Sequence, residues 1–121
     1  MTSAMLNTLA LIALGGALGS VARYLVGLAV AFPFGTLCVN VIGSFAIGLV
    51  WASQMDKPGG WVAFLMIGVM GGFTTISSYS LDVLRLAGDG RLGAAGAYVL
   101  ASVGLSLAAV ILGLTLLKGA A

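Results

Sequence analysis

Three sets of polar residues in this sequence have types and spacings that could do chemistry on an ion. Thr36, Asn40 and Ser44 recur every fourth residue, which stacks them on one helix face. Tyr98, Ser102 and Ser106 repeat that spacing near the other end of the chain. Between them lies Gly71-Gly72-Phe73-Thr74-Thr75-Ile76-Ser77-Ser78-Tyr79-Ser80, a poor helix by propensity. Hydroxyls and a carboxamide both donate and accept hydrogen bonds, so such stripes could replace the hydration of a small ion of either sign. The same groups serve structure equally well. Asn40 can bond between helices, and serines can bond back to their own helix. Tyr98 strengthens the case for a lined path, because a buried phenol usually has a partner.

The residues that most enzymes need are missing. There is no histidine, all three acidic residues are aspartates, and no cluster has metal-ligand spacing. An enzyme is not expected. The single cysteine, Cys38, lies in an apolar run and reads as a small buried hydrophobe.

The elements that carry these stripes follow from hydropathy. The chain has 121 residues, 61% hydrophobic and only 7% charged, with a mean hydropathy of +1.22. Its solvent is lipid. A spanning helix needs about 20 apolar residues, so an all-α membrane protein with four transmembrane helices is predicted, in one domain covering 1–121. The spans fall at about 5–30, 35–53, 61–84 and 92–117. Phe32-Pro33-Phe34-Gly35 and Asp56-Lys57-Pro58-Gly59-Gly60 mark the first two turns, and a polar connection runs from Arg85 to Arg91. Lys118 ends the last span. The first apolar run lacks the basic start and cleavage site of a signal peptide and reads as a span. Within the third run, the glycine and hydroxyl cluster predicts a helix break at mid-membrane. Non-helical backbone is tolerated there only when it is buried in protein or lines a polar cavity. Gly15-x-x-x-Gly19 and Gly68-x-x-x-Gly72 match the small-residue pattern of close helix contacts.

Charge is sparse. Five basic residues spread along a chain of net charge +2 form no patch for nucleic acid. Counted by loop, Lys57 and Lys118 fall on one side of the membrane and Arg85 and Arg91 on the other, so the positive-inside rule has little to act on. That balance fits a weakly biased protein oriented by its partners or, more sharply, dual topology, with the chain pairing antiparallel to itself. Arg23, about five residues before the end of span one, could snorkel to the headgroups or draw an anion to a pore mouth. Asp82 is expected to pair with Arg85 or to cap the second half-helix.

The motifs Gly15-Gly16-Ala17-Leu18-Gly19-Ser20-Val21-Ala22-Arg23-Tyr24, Gly35-Thr36-Leu37-Cys38-Val39-Asn40-Val41-Ile42-Gly43-Ser44-Phe45 and Gly71-Gly72-Phe73-Thr74-Thr75 occur in this order. With them, the sequence resembles the Fluc (CrcB) family of fluoride channels across all four spans. The resemblance implies a passive fluoride exporter of the cell inner (plasma) membrane, built as an antiparallel dual-topology homodimer with two pores. It also implies a structural sodium ion at the dimer interface, held by backbone carbonyls of Gly71 and Thr74, and no organic cofactor. The family's pore asparagine falls on Asn40, its hydroxyl track on Ser77 and Ser78, its span-four stripe on Tyr98, Ser102 and Ser106, and its arginine on Arg23. Thr36 joins the path through the stripe it shares with Asn40. Where the family has two pore-lining phenylalanines, this chain has Ile76 and Tyr79. Isoleucine offers no electropositive ring edge, whereas Tyr79 keeps one and adds a phenol. A heterodimer in which a partner supplies the missing ring is therefore an alternative, as is a non-conducting subunit. A small multidrug-resistance type antiporter shares the helix count but depends on a glutamate in span one, which this chain lacks.

Overall fold

The computed structural model describes residues 1–54 and 59–118, so Asp56, Lys57 and Pro58 of the predicted Asp56-Lys57-Pro58-Gly59-Gly60 turn and the side chain of Lys118 lie outside the described residues. Helix α1 spans Ser3–Ala29 and opens on the side chain of Thr2, which accepts from the Met5 N–H at 3.1 Å. It stops at Val30, whose backbone is extended, three residues before Pro33. Helix α2, Phe34–Gln54, starts directly after that proline.

The third span is composite. Its first half, α3, begins as an α-turn at Gly60–Val62, continues as a π-helix over Ala63–Met70 and closes with an α-turn at Gly71–Phe73. Thr74 and Thr75 are both extended, with φ/ψ of −85°/156° and −155°/118°. Helix α4 then runs from Ile76 to Gly88. The chain is thus broken where glycines and hydroxyls interrupt the apolar run. Helix α4 continues through Arg85, whose guanidinium lies 4.0 Å from the centre of the Phe32 ring. It ends in a Schellman turn: Gly90 takes φ +79°, Gly90 N–H donates to the Ala87 carbonyl and Arg91 N–H to that of Leu86. That tight stop sends α5, Leu92–Lys118, back antiparallel.

All four spans are long and apolar enough to cross a membrane. The protein is a multi-pass membrane protein. α1 packs along α3 and α2 along α5, both through glycine. A Cβ on Gly72 would lie 2.6 Å from the Gly16 carbonyl oxygen, and one on Gly48 would lie 2.6 Å from that of Val110. Backbones this close gain dispersion contacts that larger residues would prevent, which substitutes for the hydrophobic drive that lipid removes. The enclosed core is small, with Leu86, Ala95 and Tyr98 between α4 and α5. Most large apolar side chains, such as Leu84, Leu92 and Leu100, point outward.

Candidate functional site

Most side-chain hydrogen bonds around the break converge on Thr75. The carboxamide of Asn40, on α2, donates from Nδ2 to the Thr75 carbonyl at 3.0 Å, and its Oδ1 accepts from the Thr75 N–H at 2.7 Å. The side chain thereby supplies both partners that the broken helix denies this residue. Thr75 in turn caps α4, its Oγ1 accepting from the Ser78 N–H at 3.1 Å and contacting the Ser77 hydroxyl at 3.1 Å. On the other side of the break, the Arg23 Nε donates to the Gly72 carbonyl at 3.2 Å, and the Thr74 hydroxyl donates to that of Met70 at 2.9 Å. Arg23 therefore neither reaches simply for headgroups nor stands free. It ties the carbonyl end of α3, where a cation is electrostatically favoured.

These bonds leave two carbonyls without their α-helical donors. The donor for Gly71 would be the Thr75 N–H and that for Thr74 would be the Ser78 N–H. Both are diverted, to Asn40 and to the Thr75 hydroxyl respectively.

Two cavities flank this junction. The larger, about 430 Å³, is lined by Asn40, Ser44, Tyr79, Ser102 and Ser106, with Gly71, Thr74, Thr75 and Ile76 along the break and Met66 and Met70 from the π-helix. The smaller, about 320 Å³, is lined by Arg23, Thr36, Thr75 and Ser78. Thr75 lies in both. The stripe Thr36, Asn40, Ser44 is thus divided: Thr36 faces one cavity, Ser44 the other, and Asn40 holds the residue between them.

The span-four stripe divides too. Ser102 and Ser106 line the larger cavity. Ser102 is only 6% exposed and its hydroxyl has no partner, a costly arrangement unless something in the cavity meets it. Tyr98 lies outside both cavities. Its phenol donates to Oδ2 of the buried Asp82 at 3.1 Å, and its ring lies 5.6 Å from that of Tyr79. Asp82 thus neither pairs with Arg85 nor caps α4. A carboxylate one turn before Arg85 on this face points into the α4–α5 layer, where Tyr98 is the available donor. Ser77 is exposed and bonds to Thr75, outside both cavities. Ile76 is 76% exposed at the larger cavity's edge. Thr75 itself was not marked by the polar stripes. Its position between a glycine-rich turn and a Ser-Ser pair was the available signal, since that is how a helix N-cap reads.

A four-helix membrane protein whose third helix breaks between two cavities that carry polar side chains on largely apolar walls is built to conduct or carry a small solute. The family described as CrcB-like protein, Camphor Resistance (CrcB) matches residues 10–114, and the chain belongs to it. A protein from Cereibacter sphaeroides named fluoride-specific ion channel FluC is 46% identical over 121 residues, covering 95% of this chain and 98% of its own. Proteins of the same name from Rhizobium meliloti, 48% identical over 93% and 98% of the two chains, and from Agrobacterium fabrum, 49% identical over 93% and 96%, are similarly close.

Proposed function

We propose that this chain forms a fluoride-selective channel that lets fluoride leave the cell passively through the larger cavity. The observation that carries the reading is the buried, unpartnered Ser102 hydroxyl, in a cavity it shares with Ser44, Ser106 and Tyr79. Fluoride is small and strongly hydrated, and it gives up water only for several short hydrogen bonds. A row of rotatable hydroxyls supplies them one after another without a charge that would trap the ion. The Arg23 guanidinium in the smaller cavity raises the local concentration of anions. Met66, Met70 and Ile76 give the larger cavity apolar walls, which penalise ions unable to make short bonds to the hydroxyls.

The working unit is an antiparallel homodimer. The near-even loop charges support insertion in both directions, and the larger cavity stays incomplete on the side of the exposed Ile76. A structural sodium ion fits the break. Among the described residues no three His, Cys, Asp or Glu side chains cluster, so a cation there would be held by neutral oxygens. The Gly71 and Thr74 carbonyls have lost their helical donors and suit a hard monovalent cation. Sodium would supply a fixed positive charge joining the two copies.

Fluoride efflux from liposomes containing only the purified chain, with chloride as comparison ion, tests the reading. Fast fluoride loss without chloride loss is expected. Absence of fluoride loss from intact dimers overturns self-sufficient conduction. A second reading, a subunit that requires a different partner, rests on Ile76, which presents no ring edge to the cavity; restoration of flux by co-reconstitution with a ring-bearing homologue would establish it.

A further inference from the structure

The geometry points to Asn40 as a positioning residue that acts on the helix break through Thr75. This rests on the channel reading for its functional arm. A carboxamide has two donor hydrogens and two acceptor lone pairs. Asn40 spends one of each on a single residue, donating to the Thr75 carbonyl at 3.0 Å and accepting the Thr75 N–H at 2.7 Å. The pairing mimics a strand partner. It satisfies an extended residue that has neither a helix nor a sheet around it, at a depth where an unpaired backbone group is expensive.

The bond to the N–H has a second effect. Were Thr75 released, its N–H would be the α-helical donor to the Gly71 carbonyl, and α3 could run on into α4. Asn40 withholds that donor. It therefore keeps the break open, keeps the Gly71 carbonyl free, and sets Thr75 so that its hydroxyl caps Ser78. Three features of the site hang on one side chain whose two hydrogen bonds both go to backbone.

The decisive comparison replaces the Thr75 residue by its α-hydroxy acid, so that an ester oxygen stands where the N–H was and the Thr75 and Asn40 side chains are both unchanged. A positioning role predicts that Asn40→Ala slows fluoride efflux by about tenfold, the worth of one hydrogen bond, and that adding the ester recovers part of that loss, because an ester oxygen cannot donate to the Gly71 carbonyl and the break stays open. Wild-type efflux from Asn40→Ala, or no recovery in the combined variant, would overturn the inference.

A spectroscopic arm stands apart from transport. With a heavy-isotope label on the Gly71 carbonyl, in sodium-free buffer, Asn40→Ala should move its amide I band down, because the Thr75 N–H returns to it. A stationary band in a folded dimer would overturn the inference even if the channel reading stands. Should the wild-type chain conduct no fluoride, the channel reading fails, and the Gly71 band still decides the role of Asn40.

Discussion

The backbones of Gly15 and Gly68 touch: a Cβ built on Gly68 would lie 2.9 Å from the Gly15 Cα. The contact seats α1 against the π-helical part of α3. Gly15, Gly19 and Arg23 succeed one another every four residues, so this stripe ends on the arginine that reaches Gly72. Gly68→Ala should therefore destabilise the protein by about 1–3 kcal/mol through overpacking and weaken the Arg23 bond as well. Gly16→Ala, whose Cβ would meet nothing within 4 Å, should leave stability unchanged. Thermal unfolding in detergent compares them.

Ser102→Ala should separate stability from transport. Removing a buried hydroxyl that has no partner in the chain relieves a desolvation cost, so stability should stay level or rise by up to about 1 kcal/mol. Fluoride efflux should fall several-fold, because one rung of the hydroxyl row is gone. Parallel loss of both would place Ser102 in the scaffold only.

Ile76→Phe restores a ring edge at a position exposed enough to accept it without displacing a neighbour in its own chain. An edge directed at an anion is worth on the order of 0.5–1.5 kcal/mol by analogy with aromatic pairs, which converts to a two- to tenfold faster efflux. Liposome flux measured beside the unaltered chain reads this directly. No change would mean that the side chain at 76 stays clear of the ion.

Tyr98→Phe leaves Asp82 buried and without its donor. The expected cost is about 1–3 kcal/mol of stability, seen as a lower unfolding temperature. Asp82→Leu combined with Tyr98→Phe should recover most of it, since an apolar pair of similar volume leaves nothing unsatisfied.

The sequence displays the parts of this architecture that hydropathy and punctuation control. Four apolar runs become four spanning helices, and the interruption after Gly72 becomes a break at Thr74 and Thr75. The glycine patterns of α1 and α3 mark a real contact. The π-helix over Ala63–Met70 leaves no trace, because a uniformly apolar run has no period from which an extra residue per turn could be read. Partners of polar side chains are equally hidden. Asn40, Arg23 and Asp82 could each be placed on an element, but that they bond to Thr75, Gly72 and Tyr98 depends on rotation of one helix against another, at distances of 35, 49 and 16 residues along the chain. The opposite fates of Tyr98 and Ser102, one turn apart, follow from the same rotation.

Thr75 bounds both cavities. The smaller cavity lies toward the Phe32 end of the bundle and the larger toward the end bearing Trp51 and Trp61. Where water enters both, the insulating part of the barrier is thinned at Thr75. Part of the membrane voltage, worth about 2.3 kcal/mol per elementary charge per 100 mV across the whole membrane, is then dropped over the residue that Asn40 holds in place.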